Sequence, residues 1–266
     1  MKVSADKSLL LEVLNMSKYY GDREIIRDVS FSVKPSEIVC LVGPSGVGKT
    51  TLLRCLAGLM GATGGSIKFR GNQISAPPAG LSVVLQDYSR SLLPWMRVAE
   101  NVALPLRSVG ASRSDRNAAA ERVLSSVGLA GSGRLYPWQM SGGMQQRVAI
   151  ARALISSPEL LLMDEPFASV DAQTRFELED LTLAIRKSTG VSIVQVTHDI
   201  DEAVYIADRI IVLSGAPAAV ADTVDIPFGA DRDQMVTRAN PEFAQLRNRV
   251  LAQVRGKGKE QLMTSL

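Results

Sequence analysis

Histidine and cysteine are scarce. A single histidine, His198, stands in 266 residues, so no multi-histidine metal centre can be built. The two cysteines, Cys40 and Cys55, can make neither a disulfide framework nor a metal cluster, and their scarcity fits a reduced, cytosolic compartment. Charge of one sign is not in excess: 30 Lys and Arg against 27 Asp and Glu leave +3. That balance argues against nucleic acid as a partner held by bulk electrostatics. Long apolar runs are missing. Ile38–Val42, Leu160–Met163 and Ile210–Leu213 fall far below the roughly 18 residues of a membrane span. Met1–Ser8 has polar and charged residues and no apolar signal core. The expectation is a chain that stays in the cytosol unless a partner holds it at a membrane.

What is present is an ordinary globular mix, 46% hydrophobic and 21% charged. A mean hydropathy of +0.09 is slightly apolar and suggests that some surface is covered by something else. At roughly 150 residues per domain, the length allows one large domain or two small ones.

The apolar runs read as buried parallel strands, each followed by a turn or a helix signal. Ile38–Val42 leads into a Gly-rich loop and then a helical stretch, Thr50–Leu59. Phe31–Val33 and Ser66–Phe69 alternate as half-exposed antiparallel strands do, and Arg70-Gly71-Asn72 fits the turn after the second. Leu81–Leu85 reads as another short buried strand. From Trp95 to about Ser157 helical spacing takes over, in Ala118–Val127 and Met144–Ile155. Strands return at Leu160–Met163, Ile193–Val196 and Ile210–Leu213.

The layout predicts an α/β fold: a mostly parallel sheet flanked by helices with an antiparallel β subdomain, interrupted by a helical insertion. The expected core is 9–86 with 160–230, the insertion 87–159 and a C-terminal tail 231–266. That tail is helical over Phe243–Val254. Arg247, Arg249, Arg255, Lys257 and Lys259 make it basic, and it reads as a solvated helix with a frayed end.

Gly43-Pro44-Ser45-Gly46-Val47-Gly48-Lys49-Thr50 matches G-x-x-x-x-G-K-[ST], followed by Thr51. Glycines let the backbone wrap closely around phosphate oxygens. Successive N–H groups and the helix N-terminus then face the anion. Lys49 supplies charge to the β and γ phosphates, and the Thr50 hydroxyl can ligate Mg²⁺. A chance Gly-rich turn is a weak alternative, because the motif lies between an apolar strand and a helix. The strand Leu160–Met163 ends in Asp164-Glu165. Asp164 arrives at the sheet's C-terminal edge, where it can hold a Mg²⁺ hydration shell, and Glu165 could polarise an attacking water. Without the phosphate loop, the pair would read as a solvated acidic turn. With it, hydrolysis is favoured over mere binding.

Met140-Ser141-Gly142-Gly143-Met144-Gln145-Gln146-Arg147 opens a helix with Ser141 as a good N-cap and accessible N–H groups behind it. With the phosphate loop and Asp164-Glu165, in this order, the segment resembles the signature of ATP-binding-cassette (ABC) ATPases over roughly Leu9 to Leu213. The signature usually reads Leu-Ser-Gly-Gly-Gln, so Met140 and Met144 depart from it, while Ser141, Gly142 and Gly143 are intact. No Asn-Lys-x-Asp guanine-reading motif is present.

The resemblance implies a P-loop NTPase core with ATP and Mg²⁺. It implies that Tyr20, with Tyr19 as the fallback, stacks on adenine. Gln86 would contact Mg²⁺ and water and sense the membrane partner. Ser169-Val170-Asp171 would couple two active sites, and His198 would lie near the γ-phosphate. It also implies a head-to-tail homodimer, with ATP held between one subunit's phosphate loop and the other's Ser141–Gly143. Integral-membrane permease subunits would be driven directly and a solute-binding protein indirectly, from the inner face of the membrane.

The segment after Gln86, through Tyr88 to Leu92-Leu93-Pro94-Trp95 and then Val98-Ala99-Glu100-Asn101-Val102, looks like the nitrate, sulfonate and taurine importer subfamily. Val212-Leu213-Ser214 followed by Pro217 agrees. Competing classes fit less well. A DNA-repair or translation ATPase is expected to have a coiled-coil insertion or a second cassette. An exporter cassette is normally fused to membrane helices. Intact Lys49, Asp164, Glu165 and His198 speak against an inactive binding module.

Overall fold

A computed structural model describes residues 9–87 and 91–256. The N-terminal stretch Met1–Ser8, the residues Tyr88–Arg90 of the subfamily segment, and Lys257 and Lys259 of the tail lie outside the described residues. In chain order the first elements are β1 (Leu11–Tyr20), β2 (Arg23–Val33), β3 (Ile38–Val42), α1 (Lys49–Leu56), β4 (Gly64–Phe69), β5 (Asn72–Gln73) and β6 (Leu81–Val84). There follow α2 (Val98–Val102), α3 (Arg113–Ser126), α4 (Gly142–Leu154), β7 (Leu160–Asp164), α5 (Ala172–Thr189) and β8 (Ser192–Val196). The chain ends with α6 (Ile200–Ile206), β9 (Arg209–Ser214), β10 (Ala219–Asp225), α7 (Gln234–Ala239) and α8 (Pro241–Gly256). The fold is α/β.

Backbone contacts divide the chain into two compact units. One takes the chain up to Pro78 and again from Ser192, and the other is Ala79–Val191. The sequence reading draws its line after Gln86 and again before Leu160. The contacts draw it before β6, because β6 pairs in parallel with β7 and α4 packs on β6.

The first unit contains an antiparallel sheet in the order β2-β1-β4-β5. Leu11, Val13 and Met16 are its buried side chains on β1. Their spacing changes from two to three where the register shifts and Asn15 takes a left-handed φ of 48°. A bulge of this kind breaks strict alternation, which is why β1 has no counterpart among the strands expected from pattern. Between β4 and β5, Arg70 and Gly71 both have positive φ, 50° and 75°, as the tight primed hairpin turn requires. The same unit holds β3, parallel to β8 and β9, with β10 antiparallel to β9. All five residues of β3 and all five of β8 are buried, as strands covered on both faces must be.

In the second unit, β6 is an edge strand beside β7, with α2, α3 and α4 packed together. The expected buried strand Leu81–Leu85 needs correction. It ends at Val84, the one fully buried residue in it, and Leu85 is 47% exposed. An edge strand has a neighbour on one side only and is covered less.

The tail also differs from expectation. It is not a free solvated helix: Phe243 and Val250 of α8 are buried, and α8 packs on α6, β9 and β10. Two of the arginines that make it basic face acids of this chain, Arg247 toward Asp201 at 3.7 Å and Arg249 toward Asp222 at 3.0 Å. Ahead of the helix, Arg232 has a side chain only 1% exposed. It donates to the carbonyls of Tyr205 at 2.5 Å, Phe228 at 2.9 Å and Gly229 at 2.9 Å. Removing a charged donor from three acceptors, of which Tyr205 is buried and Phe228 half-buried, is costly. Arg232→Ala is expected to lower stability by about 2–4 kcal/mol, read as a lower denaturant midpoint. An unchanged midpoint would show that the Arg232 contacts do not stabilise the fold.

Candidate active site

In the first unit the phosphate loop leaves β3 at Gly43. A Cβ there would stand 2.5 Å from the Leu213 carbonyl oxygen, so only glycine lets the loop start this close to β9. Gly46 and Gly48 hold φ of 76° and 116°, open to glycine at little cost. Pro44, Ser45 and Gly46 are exposed. Gly48 is the N-cap of α1 and, being glycine, brings no side chain to cap the helix start, the end of a helix that favours an anion. Lys49 is 5% exposed, and its Nζ donates to the carbonyls of Gly43 at 2.8 Å and Pro44 at 3.0 Å. The lysine therefore ties the loop to itself while holding a positive charge within it. Thr50 and Thr51 follow in the first turn.

His198 comes two residues after β8. Because β3 and β8 run parallel with Leu41 opposite Val196, Gly43 and His198 both leave the sheet two residues beyond that pair, at its C-terminal edge. The expected loop and the lone histidine therefore share one edge, where α/β sheets bind ligands. The His198 side chain is exposed. Tyr20 ends β1 with its ring 47% exposed. Its hydroxyl donates to Met60 Sδ at 3.0 Å, and the Lys18 ammonium stands 5.5 Å from the ring centroid. At the fallback Tyr19, a hydrogen bond to Glu24 raises the hydroxyl pKa above its ordinary value.

In the second unit every residue of β7 is buried, and Asp164 at its end is 4% exposed. Glu165 follows in the left-handed region at φ 44°, unusual for a side-chain-bearing residue and typical of functional sites. The register explains its neighbour. Val84 of β6 faces Met163 of β7, so Gln86 and Glu165 both lie two residues further on. Gln86 Nε2 donates to Glu165 Oε2 at 3.1 Å. Sequence reading names both residues but not their contact.

Ser141 caps α4, its Oγ accepting from the Met144 N–H at 3.3 Å. Met140 is buried, as an apolar replacement should be. At Gly143 a Cβ would come within 2.3 Å of Thr174 Cγ2, so glycine lets the start of α4 meet the first turn of α5. Asp171 caps α5, accepting from the Thr174 N–H at 3.0 Å and the Thr174 hydroxyl at 2.7 Å. Those donors hold its carboxyl below the ordinary carboxylate range. A structural duty thus falls on a residue singled out for coupling.

Arg152 of α4 was not singled out at all. Its guanidinium donates to Ser91 O at 2.6 Å and Ser91 Oγ at 2.7 Å, joining the signature helix to the segment beyond Gln86. An arginine at helical spacing reads as a solvated face, so nothing in the pattern marks it. Trp95 is 73% exposed, and Trp138, 69% exposed, stacks on Tyr136 with centroids 5.9 Å apart. Among the described residues no helix is long and apolar enough to cross a membrane.

Comparison with known proteins agrees with these features. The ABC transporter family model matches residues 26–168. The chain is 42% identical to an aliphatic sulfonates import ATP-binding protein of Burkholderia cenocepacia, over 91% of this chain and 86% of the relative. It is 38% identical to the taurine import ATP-binding protein of Escherichia coli, over 92% of this chain and 97% of the relative. A solved dimeric ATP-binding cassette in a post-hydrolysis state, bound to ADP and Pi, is similar at a TM-score of 0.71 and 29% identity. That similarity covers 82% of this chain and 100% of the other. The chain belongs to the ABC transporter family. Within it, the chain is an ATP-hydrolysing cassette with a P-loop NTPase fold.

Proposed function

We propose that the chain is the ATPase subunit of an importer for a small organic anion of the sulfonate or taurine type. The observation that carries this reading is the identity, over more than nine-tenths of the chain, to two ATP-binding proteins of such importers. Two copies would close head to tail on ATP, and integral-membrane permease subunits would take up the motion, with a solute-binding protein acting through them. The chain would then work in the cytoplasm, on the inner face of the membrane. The near-neutral charge supports a role without nucleic acid.

The residues fit the substrate. Gly46 has nothing within 4 Å of where a Cβ would stand, and Lys49 brings the charge that phosphate needs. Lys49 and His198 would stabilise charge on the transferred phosphoryl group. Glu165 would take the proton of the attacking water, with Gln86 orienting its carboxylate. Tyr20 would stack on adenine, and Ser141, Gly142, Gly143 and Asp171 would face the partner's nucleotide.

Thr50, Gln86 and Asp164 offer hydroxyl, amide and carboxylate oxygens, the hard donors that Mg²⁺ takes. Held by these donors, Mg²⁺ would supply positive charge against the charge that develops on the phosphates. Among the described residues no group of three or more His, Cys, Asp or Glu forms a metal site. A site completed by substrate phosphates needs none. The segment 87–159 would transmit the change, through Arg152 and the exposed Trp95, to the permease.

Hydrolysis measured with and without co-expressed permease subunits, beside uptake of labelled taurine, an alkanesulfonate and nitrate, tests this. ATP-dependent uptake of taurine or the alkanesulfonate is the expected result. Absence of both basal and stimulated hydrolysis would sink the transporter reading, and uptake of nitrate alone would replace the substrate class.

A further inference from the structure

Beneath the loop that bears His198 lies a polar pair with no part in the site as described. Gln195 of β8 is 0% exposed and Glu202 of α6 is 3% exposed. Gln195 Nε2 donates to Glu202 Oε1 at 2.6 Å. The amide oxygen of Gln195 has no hydrogen-bond partner among the described residues. Their neighbours along the chain are apolar and buried: Ile193, Val194 and Val196 on the strand, Ala203, Val204 and Ile206 on the helix. Packing alone would be served by another apolar pair, and burying a carboxylate beside a half-satisfied amide costs stability. A directional contact does what apolar packing cannot: it specifies how far along β8 the start of α6 sits.

Only Thr197, His198 and Asp199 lie between the two elements, and the backbone on either side of His198 is held. The Thr197 N–H donates to the Leu41 carbonyl at 3.2 Å. The Asp199 N–H donates to Thr197 Oγ1 at 3.0 Å, and Asp199 Oδ1 accepts from the Glu202 N–H at 3.1 Å. The strand–helix distance set by Gln195 and Glu202 is thereby passed to the one side chain in the loop that faces out with chemistry to offer.

We propose that Gln195 and Glu202 are positioning residues that set the placement of His198 through their buried hydrogen bond. The catalytic consequence rests on the reading of His198 as a γ-phosphate residue.

Untagged full-length chain labelled at the histidine ring carbon gives one imidazole resonance, because the sequence holds one histidine. Gln195→Met removes the donor at nearly constant volume. Gln195→Asn withdraws it by one methylene and serves if the first variant does not fold, as judged by circular dichroism. In a folded variant the His198 resonance is expected to move or split. ATP affinity should stay within about 3-fold, and kcat of the chain assembled with its membrane subunits should fall about 10-fold or more. A folded variant with the wild-type resonance overturns the proposal. So does an unchanged kcat in a variant when His198→Ala abolishes turnover. If His198→Ala itself keeps full turnover, the γ-phosphate reading fails, and the resonance alone decides the positioning role.

Discussion

Glu165→Gln is expected to bind ATP and fail to hydrolyse it, with turnover down by about 10²–10⁴-fold, the usual contribution of a general base. The substitution is nearly isosteric. An amide oxygen at 165 can still accept from Gln86 Nε2, which donates to the carboxylate at 3.1 Å in the native chain. The left-handed backbone at this position is unchanged by a swap of side-chain termini. What would disappear is the carboxylate proposed to accept the water's proton. Because ATP would act as the adhesive between two copies, a variant that binds without hydrolysing should accumulate as a dimer. Gel filtration with ATP and Mg²⁺ would show the shift, and single-turnover measurements would show the missing step. Turnover within about 3-fold of wild type would remove Glu165 from the base role.

Lys49→Ala is expected to weaken ATP binding by on the order of 100-fold, since a charge-assisted contact to phosphate contributes about 1.5–3 kcal/mol. The structure adds a second cost. Lys49 Nζ also holds the carbonyls of Gly43 and Pro44, so alanine frees the loop that shapes the anion site. Arginine is a poor rescue, because its planar fork cannot match a compact ammonium seated at 5% exposure. Titration with a fluorescent nucleotide measures the affinity, and a melting curve separates lost binding from lost fold. Affinity within about 3-fold of wild type would show that the backbone nest alone binds the phosphates.

Local order was legible where chemistry and pattern coincide. β3, β7, β8 and β9 were visible because strands buried on both faces read as continuous apolar runs. The phosphate loop, Asp164-Glu165 and Ser141–Gly143 were visible because each needs particular residue types in a fixed order. β1 was not visible, since its bulge at Asn15 breaks the alternation by which a half-buried strand is read. The tail's docking is not legible in the sequence, because a helix rich in arginine resembles a solvated one until its partners, Asp201 and Asp222, are located. Arg152 and Glu202 gave no signal, because a charged residue at helical spacing has a solvated face as its ordinary reading.

The sequence by itself determined the chemical inventory: one phosphate loop, one acidic pair, one Ser-Gly-Gly segment and one histidine. Those features depend on residue identity and short spacing, which the linear chain carries. Only the tertiary structure decided which of them meet. Gln86 reaches Glu165 across 79 positions because β6 and β7 pair in parallel at one register. Gly43 and His198 share a sheet edge because β3 and β8 do the same. Gln195 finds Glu202 because the chain turns after β8 and sets α6 against the sheet, where it packs on β3. Register and packing arise from the sum of many weak contacts distant in sequence, and no local pattern encodes that sum.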